Sequence, residues 1–263
     1  MGDSPSTRGT PSGRGSDSPA LLEVRGLNVF AGSRHLLREV NLSIAPRQAF
    51  GLVGPSGAGK STLLRCLNRL IELDSSLRVE GDILLRGRSI RSPEVDADAL
   101  RARVGMLFQQ PVVFPVSIRR NVLFGVRHLR PLSRLESAAL TQRALREAAL
   151  WDEVKDRLDE PAAKLSVGQQ QRLCLARALA LDPEILLMDE PTSSLDEKSA
   201  DAVEQLILKL KATRTIVLVT HNLGQARRVA DVLARIEPRE GVGEIVATGS
   251  CAEVLGARDP AAR

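Results

Sequence analysis

A chain of 263 residues, 43% of them hydrophobic, can bury a sizeable core in one large domain or in one domain carrying an inserted subdomain, which excludes a chain disordered throughout. Its formal charge of +5 admits anionic partners, but 2% aromatic content with no Tyr argues against base-stacking platforms and hence against a nucleic-acid partner. The cysteines Cys66, Cys174 and Cys251 lie far apart with no C-x-x-C pair, and only three histidines occur, which argues against disulfides and a multi-histidine metal site.

Met1 to Ala20 is rich in Ser, Pro, Gly and Thr, with almost no large apolar side chain, and is expected to be a disordered tail outside the fold. No apolar stretch follows its charges, so no secretory leader is expected. Leu21 to Ile44, together with Arg78 to Ile90, reads as a small antiparallel layer turning at Ala31-Gly32-Ser33 and Leu85-Arg86-Gly87. Branched apolar runs predict strands at Leu21 to Phe30, Gln48 to Val53, Arg78 to Leu85, Val104 to Phe108, Glu184 to Asp189, Thr215 to Thr220 and Val232 to Ile236. Helical periodicity between many of them implies a parallel sheet covered by helices, with a ligand at the carboxyl ends of the strands. Ser117 to Leu158 breaks the alternation: it holds no strand, and Leu135, Ala138, Ala139, Leu145 and Ala149 mark one face of a helix, so a helical insertion is expected. The apolar runs, such as Ile185 to Met188 and Ile216 to Val219, fall far short of the roughly 18 residues that span a bilayer.

The most specific pattern is Gly54-Pro55-Ser56-Gly57-Ala58-Gly59-Lys60-Ser61-Thr62, a full match to G-x-x-x-x-G-K-[ST], placed behind the apolar run Ala49 to Val53. Glycines at Gly54, Gly57 and Gly59 let successive backbone N–H groups converge on phosphates, while Lys60 adds a point charge and Ser61 a hydroxyl for magnesium. A helix from Lys60 to about Ile71 is expected to aim its positive end at the same phosphates. These residues point to a bound nucleoside triphosphate.

Glu184-Ile185-Leu186-Leu187-Met188-Asp189-Glu190 is an apolar strand ending in adjacent carboxylates. Side chains alternate along a strand, so Asp189 and Glu190 point apart unless the strand has ended, and they are expected to do different jobs. In a nucleotide site Asp189 holds the magnesium ion and Glu190 polarises an attacking water.

Leu165-Ser166-Val167-Gly168-Gln169, followed by Gln170-Gln171-Arg172 and a helix over Leu173 to Leu181, resembles the signature of ATP-binding cassette (ABC) ATPases. Phe30 is similar to the adenine-stacking aromatic of that family, Gln109 to its sensor glutamine, Ser194-Leu195-Asp196 to the loop after the carboxylates, and His221 to the switch histidine. The resemblance covers about Leu21 to Gly249. It implies an α/β fold: a P-loop NTPase core of mostly parallel sheet with helices on both faces, an antiparallel β subdomain, and a helical subdomain inserted at about 110–165, the whole domain being 21–250 with a tail at 251–263. It also implies an ATPase using ATP and Mg2+, with Lys60, Glu190 and His221 catalytic, and Ser61, Gln109 and Asp189 around the metal. Nucleotide contacts fall to Phe30, Gly54 to Thr62 and Gln109, and, from a second copy in a head-to-tail dimer, to Ser166, Val167, Gly168 and Gln169, with Asp196 at the junction. Val167 replaces the usual glycine; a positive φ there costs a branched residue about 1 to 3 kcal/mol, and its methyls otherwise crowd the facing nucleotide. Reduced turnover is expected.

Local strings resemble the phosphate-importer branch of the family: Leu63 to Arg69, Val104 to Pro111, Phe114 to Ile118, Gln169 to Cys174 and Thr220 to Leu223, while Val112-Val113 and the stretch after Gly249 diverge. The implied assembly holds transmembrane permease subunits and, indirectly, a solute-binding protein, at the cytoplasmic face of the membrane. Polar amino acids as cargo, or a non-transport ABC ATPase, are the alternatives. Between Asp98 and Glu136 the chain has no acidic residue but carries Arg101, Arg103, Arg119, Arg120, Arg127, Arg130 and Arg134 beside Val112 to Val116. That mixture fits the permease contact.

Overall fold

The computed structural model describes residues 20–256; most of the N-terminal stretch expected to be a disordered tail, and residues 257–263, lie outside them. The strands are β1 (Leu22–Ala31), β2 (Arg34–Ile44), β3 (Ala49–Val53), β4 (Leu77–Leu85), β5 (Arg88–Ser89), β6 (Val104–Leu107), β7 (Ile185–Asp189), β8 (Thr215–Val219), β9 (Val232–Arg239) and β10 (Val242–Gly249). The helices are α1 (Lys60–Cys66), α2 (Ala97–Arg103), α3 (Ile118–Leu129), α4 (Arg134–Glu147), α5 (Trp151–Val154), α6 (Val167–Leu179), α7 (Glu197–Leu210), α8 (Leu223–Val229) and α9 (Cys251–Leu255). The strands form one sheet in the order β5-β4-β1-β2-β10-β9-β3-β8-β7-β6.

The half built from β9, β3, β8, β7 and β6 is parallel, as continuous apolar runs with helical crossovers require. All five residues of β3, β7 and β8 are buried, so both faces must be covered. The period of two sorts their side chains. Ile185, Leu187, Val217 and Val219 join Leu63, Leu64 and Leu67 on one face, whereas Leu186, Met188, Ile216 and Leu218 join Leu173, Leu175, Leu206 and Ile207 on the other. The other half, β1, β2, β4 and β5, is antiparallel, as the early segments lead one to expect.

Helices α3, α4 and α5 lie in sequence between β6 and β7, and α3 and α4 both pack on α6. The buried face of α4 differs from the expected one. Leu135 is 81% exposed and Ala138, Ala139 and Ala149 are exposed, whereas Ser137, Thr141, Ala144, Leu145 and Ala148 are buried. Thr141 escapes the cost of polar burial because its hydroxyl donates to the Ser137 carbonyl at 2.6 Å.

Two elements at the C-terminal side are further differences. Strand β10 was not expected; it pairs with β9 through a turn in which Glu240 and Gly241 both have positive φ, 52° and 78°. Its Gly243 pairs with Leu37, which joins the two halves of the sheet. Residues 251–256 were expected to lie in a tail, but α9 is capped reciprocally by Ser250 and Glu253 and sets Val254 against Val53, Ala226 and Leu233. Among the described residues no helix is long and apolar enough to cross a membrane.

Candidate functional site

The loops that follow β3, β6, β7 and β8 bring Gly54, Gln109, Glu190 and His221 to one end of the parallel strands. The glycine loop can run there because its backbone goes where a side chain would not fit. Gly54 has φ 152°, and a Cβ on it would stand 2.0 Å from the Ile236 carbonyl oxygen; Gly59 has φ 93°, and its Cβ would stand 2.5 Å from Leu37. The helix expected to reach Ile71 ends earlier. Helix α1 stops at Cys66, Arg69 takes a left-handed conformation (φ 60°), and Leu70–Leu73 form a separate short 3-10 turn.

Lys60 is 5% exposed, and its Nζ donates to the carbonyls of Gly54 at 2.9 Å and Pro55 at 2.8 Å. The ammonium thus spans its own loop. Burial pushes its pKa below the ordinary lysine value, and Glu190 and Asp189 act in the opposite direction. Behind it, Ser61 Oγ donates to Asp189 Oδ1 at 2.9 Å. Burial pushes the Asp189 carboxyl up, the Ser61 hydrogen bond pulls it down, and Glu190 adds to the upward push. A buried carboxylate beside a hydroxyl is a hard oxygen donor pair that suits magnesium. No group of three His, Cys, Asp or Glu among the described residues could cage a metal, so a cation held by this pair would take its remaining oxygens from ligand and water.

Glu190 follows the last residue of β7 and adopts φ 44°, a left-handed conformation costly for a residue with a Cβ. The strand ends between the two carboxylates, and they diverge. The Glu190 N–H donates to the Val219 carbonyl at 2.9 Å, while its Oε2 lies 3.1 Å from His221 Nδ1 and accepts from Gln109 Nε2 at 3.3 Å. Gln109, expected near the metal, therefore meets Glu190 rather than Asp189. The His221 side chain is 59% exposed and so reachable from solvent.

Phe30 on β1 lies between its cross-strand neighbours, stacked on the His35 ring at 4.3 Å with the Arg78 guanidinium 4.2 Å from its centroid. Both neighbours stand against the Phe30 ring itself, so a planar base reaches it only by displacing one of them.

A second cluster forms around the start of α6. Ser166 Oγ accepts from the Gln169 N–H at 3.3 Å while Gln169 Oε1 accepts from the Ser166 N–H at 3.0 Å. Val167 is the first helical residue and is absent from the residues with positive φ, so the backbone-strain reading does not hold; its side chain stands half exposed at the helix end. A Cβ on Gly168 would stand 2.9 Å from Ser199 Oγ, and Ser199 in turn donates to Asp196 at 2.6 Å. That bond holds the Asp196 carboxyl below its ordinary range. Residues Ser166, Val167, Gly168 and Gln169 thus sit next to Asp196 at the adjoining starts of α6 and α7.

Gln171 joins the two clusters and carried no role in the sequence reading. It is 1% exposed, and its Nε2 donates at 3.2 Å to the carbonyls of Phe108 and Pro191, neighbours in sequence of Gln109 and Glu190. A glutamine in a polar triplet gives no signal of burial. A cavity of about 610 Å³ opens beside Glu190 and His221, lined also by Thr192, Asp201, Glu204 and Arg228.

Residues 37–193 match the model of the family described as ABC transporter. The fold is similar to that of CbiO1 from Clostridium perfringens, part of the ABC transporter complex CbiONQ, with 26% identity, a TM-score of 0.77, and 91% of this chain and 92% of that one covered. It is also similar to a bacterial Atm1-family ABC exporter with ATP bound, at 28% identity and TM-score 0.73 over 91% of this chain and 41% of that one. A third likeness is to the ATP-binding cassette MJ0796, a dimer in a post-hydrolysis state bound to ADP and Pi, at 28% identity and TM-score 0.71 over 88% of this chain and 98% of that one.

Proposed function

The chain belongs to the ABC transporter family as its ATP-binding domain, and on that premise we propose that it is the ATP-hydrolysing subunit of an importer, most consistent with inorganic phosphate as cargo. The observation that carries the ATPase reading is the convergence of Lys60, the Ser61–Asp189 pair and the Glu190–His221–Gln109 set behind one glycine loop.

In this reading the N–H groups of Gly54 to Thr62 and the Lys60 ammonium hold the β- and γ-phosphates. Lys60 has first to exchange its carbonyl partners for phosphate oxygens, which give the desolvated ammonium anionic partners. Ser61 and Asp189 would hold Mg2+, which would supply positive charge against the negative charge of the phosphates. Glu190 accepts a hydrogen bond from the attacking water and orients it, and His221 and Gln109 fix the Glu190 carboxylate from two directions. Phe30 takes the adenine face. Ser166 to Gln169 of a second copy close over the γ-phosphate with the positive end of α6, and Asp196 lies at that junction. Cleavage removes the bridging charge, and the two copies separate.

Glu190→Gln preserves shape and hydrogen-bond length while removing the base, so turnover falls by about 10² or more, the reach of general-base catalysis. With saturating MgATP this variant is expected to run as a dimer in size-exclusion chromatography with light scattering. A monomer under those conditions overturns the clamp reading.

The phosphate assignment rests on the resemblance of Leu63 to Arg69, Val104 to Pro111 and Gln169 to Cys174 to that branch. We place the protein peripherally at the cytoplasmic membrane face, against permease subunits. The supporting surface is apolar and basic together: Val112, Phe124 and Leu129 are exposed, the Phe114 and Phe124 rings lie 4.3 Å apart, and Arg120, Arg127, Arg130 and Arg134 of the same stretch of chain are exposed as well. Phosphate-stimulated ATPase activity of the reconstituted transporter supports the cargo; stimulation by another solute alone replaces it.

A further inference from the structure

The first turn of α6 is gripped by a carboxylate outside every motif. Glu153 on α5 accepts from Gln169 Nε2 at 2.9 Å and from Arg172 Nη2 at 3.2 Å through Oε2, and from Arg172 Nη1 at 2.6 Å through Oε1. Arg172 Nη1 also donates to the Ala149 carbonyl at 2.6 Å, at the end of α4. The other end of the Gln169 amide is already committed, because its Oε1 accepts from the Ser166 N–H. Gln169 is therefore fixed from both sides, and the turn cannot rotate without breaking a charge-assisted bond.

Charge makes the arrangement more than a brace. A helix N-terminus carries about half a positive charge, and an unpaired carboxylate beside it would repel a polyphosphate. The Arg172 guanidinium cancels that repulsion and, ahead of the opposing effect of burial, holds the Glu153 carboxyl below its usual range. The site gains a rigid anchor without a net negative charge.

We propose that Glu153 is a positioning residue for the α6 N-terminus: by holding Gln169 and Arg172, it orients the Ser166 to Gln169 turn toward the triphosphate on a second copy. This rests on the clamp reading above.

The test uses the full chain in the Glu190→Gln background. Adding Glu153→Ala is expected to raise the dissociation constant of the MgATP-bound dimer about tenfold, the scale of one lost hydrogen bond to a charged group. MgATP affinity of the monomer, set by the chain's own Gly54 to Thr62, is expected to stay unchanged. In a Gln169→Ala background the same substitution is expected to cost less than about threefold, because one of its two routes is already gone. An unchanged dimer constant, a parallel loss of monomer affinity, or an undiminished effect without the Gln169 amide each overturns the proposal. Should Glu153→Ala fail to fold, Glu153→Gln, which keeps the volume but loses the charge, is read by the same criteria. Failure of Glu190→Gln itself to dimerise overturns the clamp reading and this proposal with it, whereas dimerisation insensitive to Glu153 overturns this proposal alone.

Discussion

Val167 stands at the first helical position of α6 with half its surface exposed. Because its φ is not positive, no backbone strain separates it from glycine. What remains is steric: two methyl groups project from the helix end proposed to meet the triphosphate. Val167→Gly is expected to raise ATP turnover about two- to tenfold, as relief of a contact on the scale of about 1 kcal/mol would. Phosphate release at saturating MgATP measures it, and a rate equal to or below the parent's removes the crowding account. Strand alternation separates Asp189 from Glu190 only while the strand continues; β7 ends at Asp189, and the device that parts them, a left-handed Glu190, was not readable. Local sequence contains no mark for a strained φ at a residue with a Cβ.

Helix α4 shows where element-scale reading succeeds and where it misleads. A helix in this region was legible from its spacing; the Ser133–Glu136 capping box that opens it is a finding of the structure. Its buried face was not, because counting only apolar residues overlooked the small polar residues Ser137 and Thr141, of which Thr141 buries its hydroxyl by bonding back to the Ser137 carbonyl. Leu145→Ala is expected to cost about 2 to 4 kcal/mol of stability and Leu135→Ala less than about 0.5 kcal/mol. Urea denaturation of both variants checks this, and equal effects would contradict the observed face. Strand β10 escaped notice for a related reason. It opens with Val242-Gly243, and glycine weakens a strand pattern; yet a Cβ on Gly243 would stand 2.1 Å from the Ala58 carbonyl oxygen, so the strand needs glycine to pass the phosphate loop.

Across the whole molecule, one sheet carries both a nucleotide site at its strand ends and, beyond β6, a helical layer with an exposed apolar and basic face. Of the arginines on α3 first singled out there, Arg119 is already paired with Asp159 at 3.0 Å, whereas Arg120 is exposed. Arg120→Glu is therefore the cleaner probe, and Arg119→Glu would also break an ion pair within the fold. Arg120→Glu is expected to reduce co-purification with the permease severalfold while leaving MgATP affinity intact; undiminished co-purification removes that face from the interface. The sequence by itself determined the glycine loop, the β-α alternation, the parallel half of the sheet and the carboxylate pair at a strand end. All of these are written in residue types at short fixed spacings, where backbone freedom and side-chain alternation act locally. Only the tertiary structure decided that β10 ties the two halves of the sheet together, which face of α4 is buried, that Gln109 meets Glu190, and that Glu153 grips Gln169. Those outcomes depend on packing between residues distant along the chain, and no local pattern encodes which of several compatible neighbours will fill a given space.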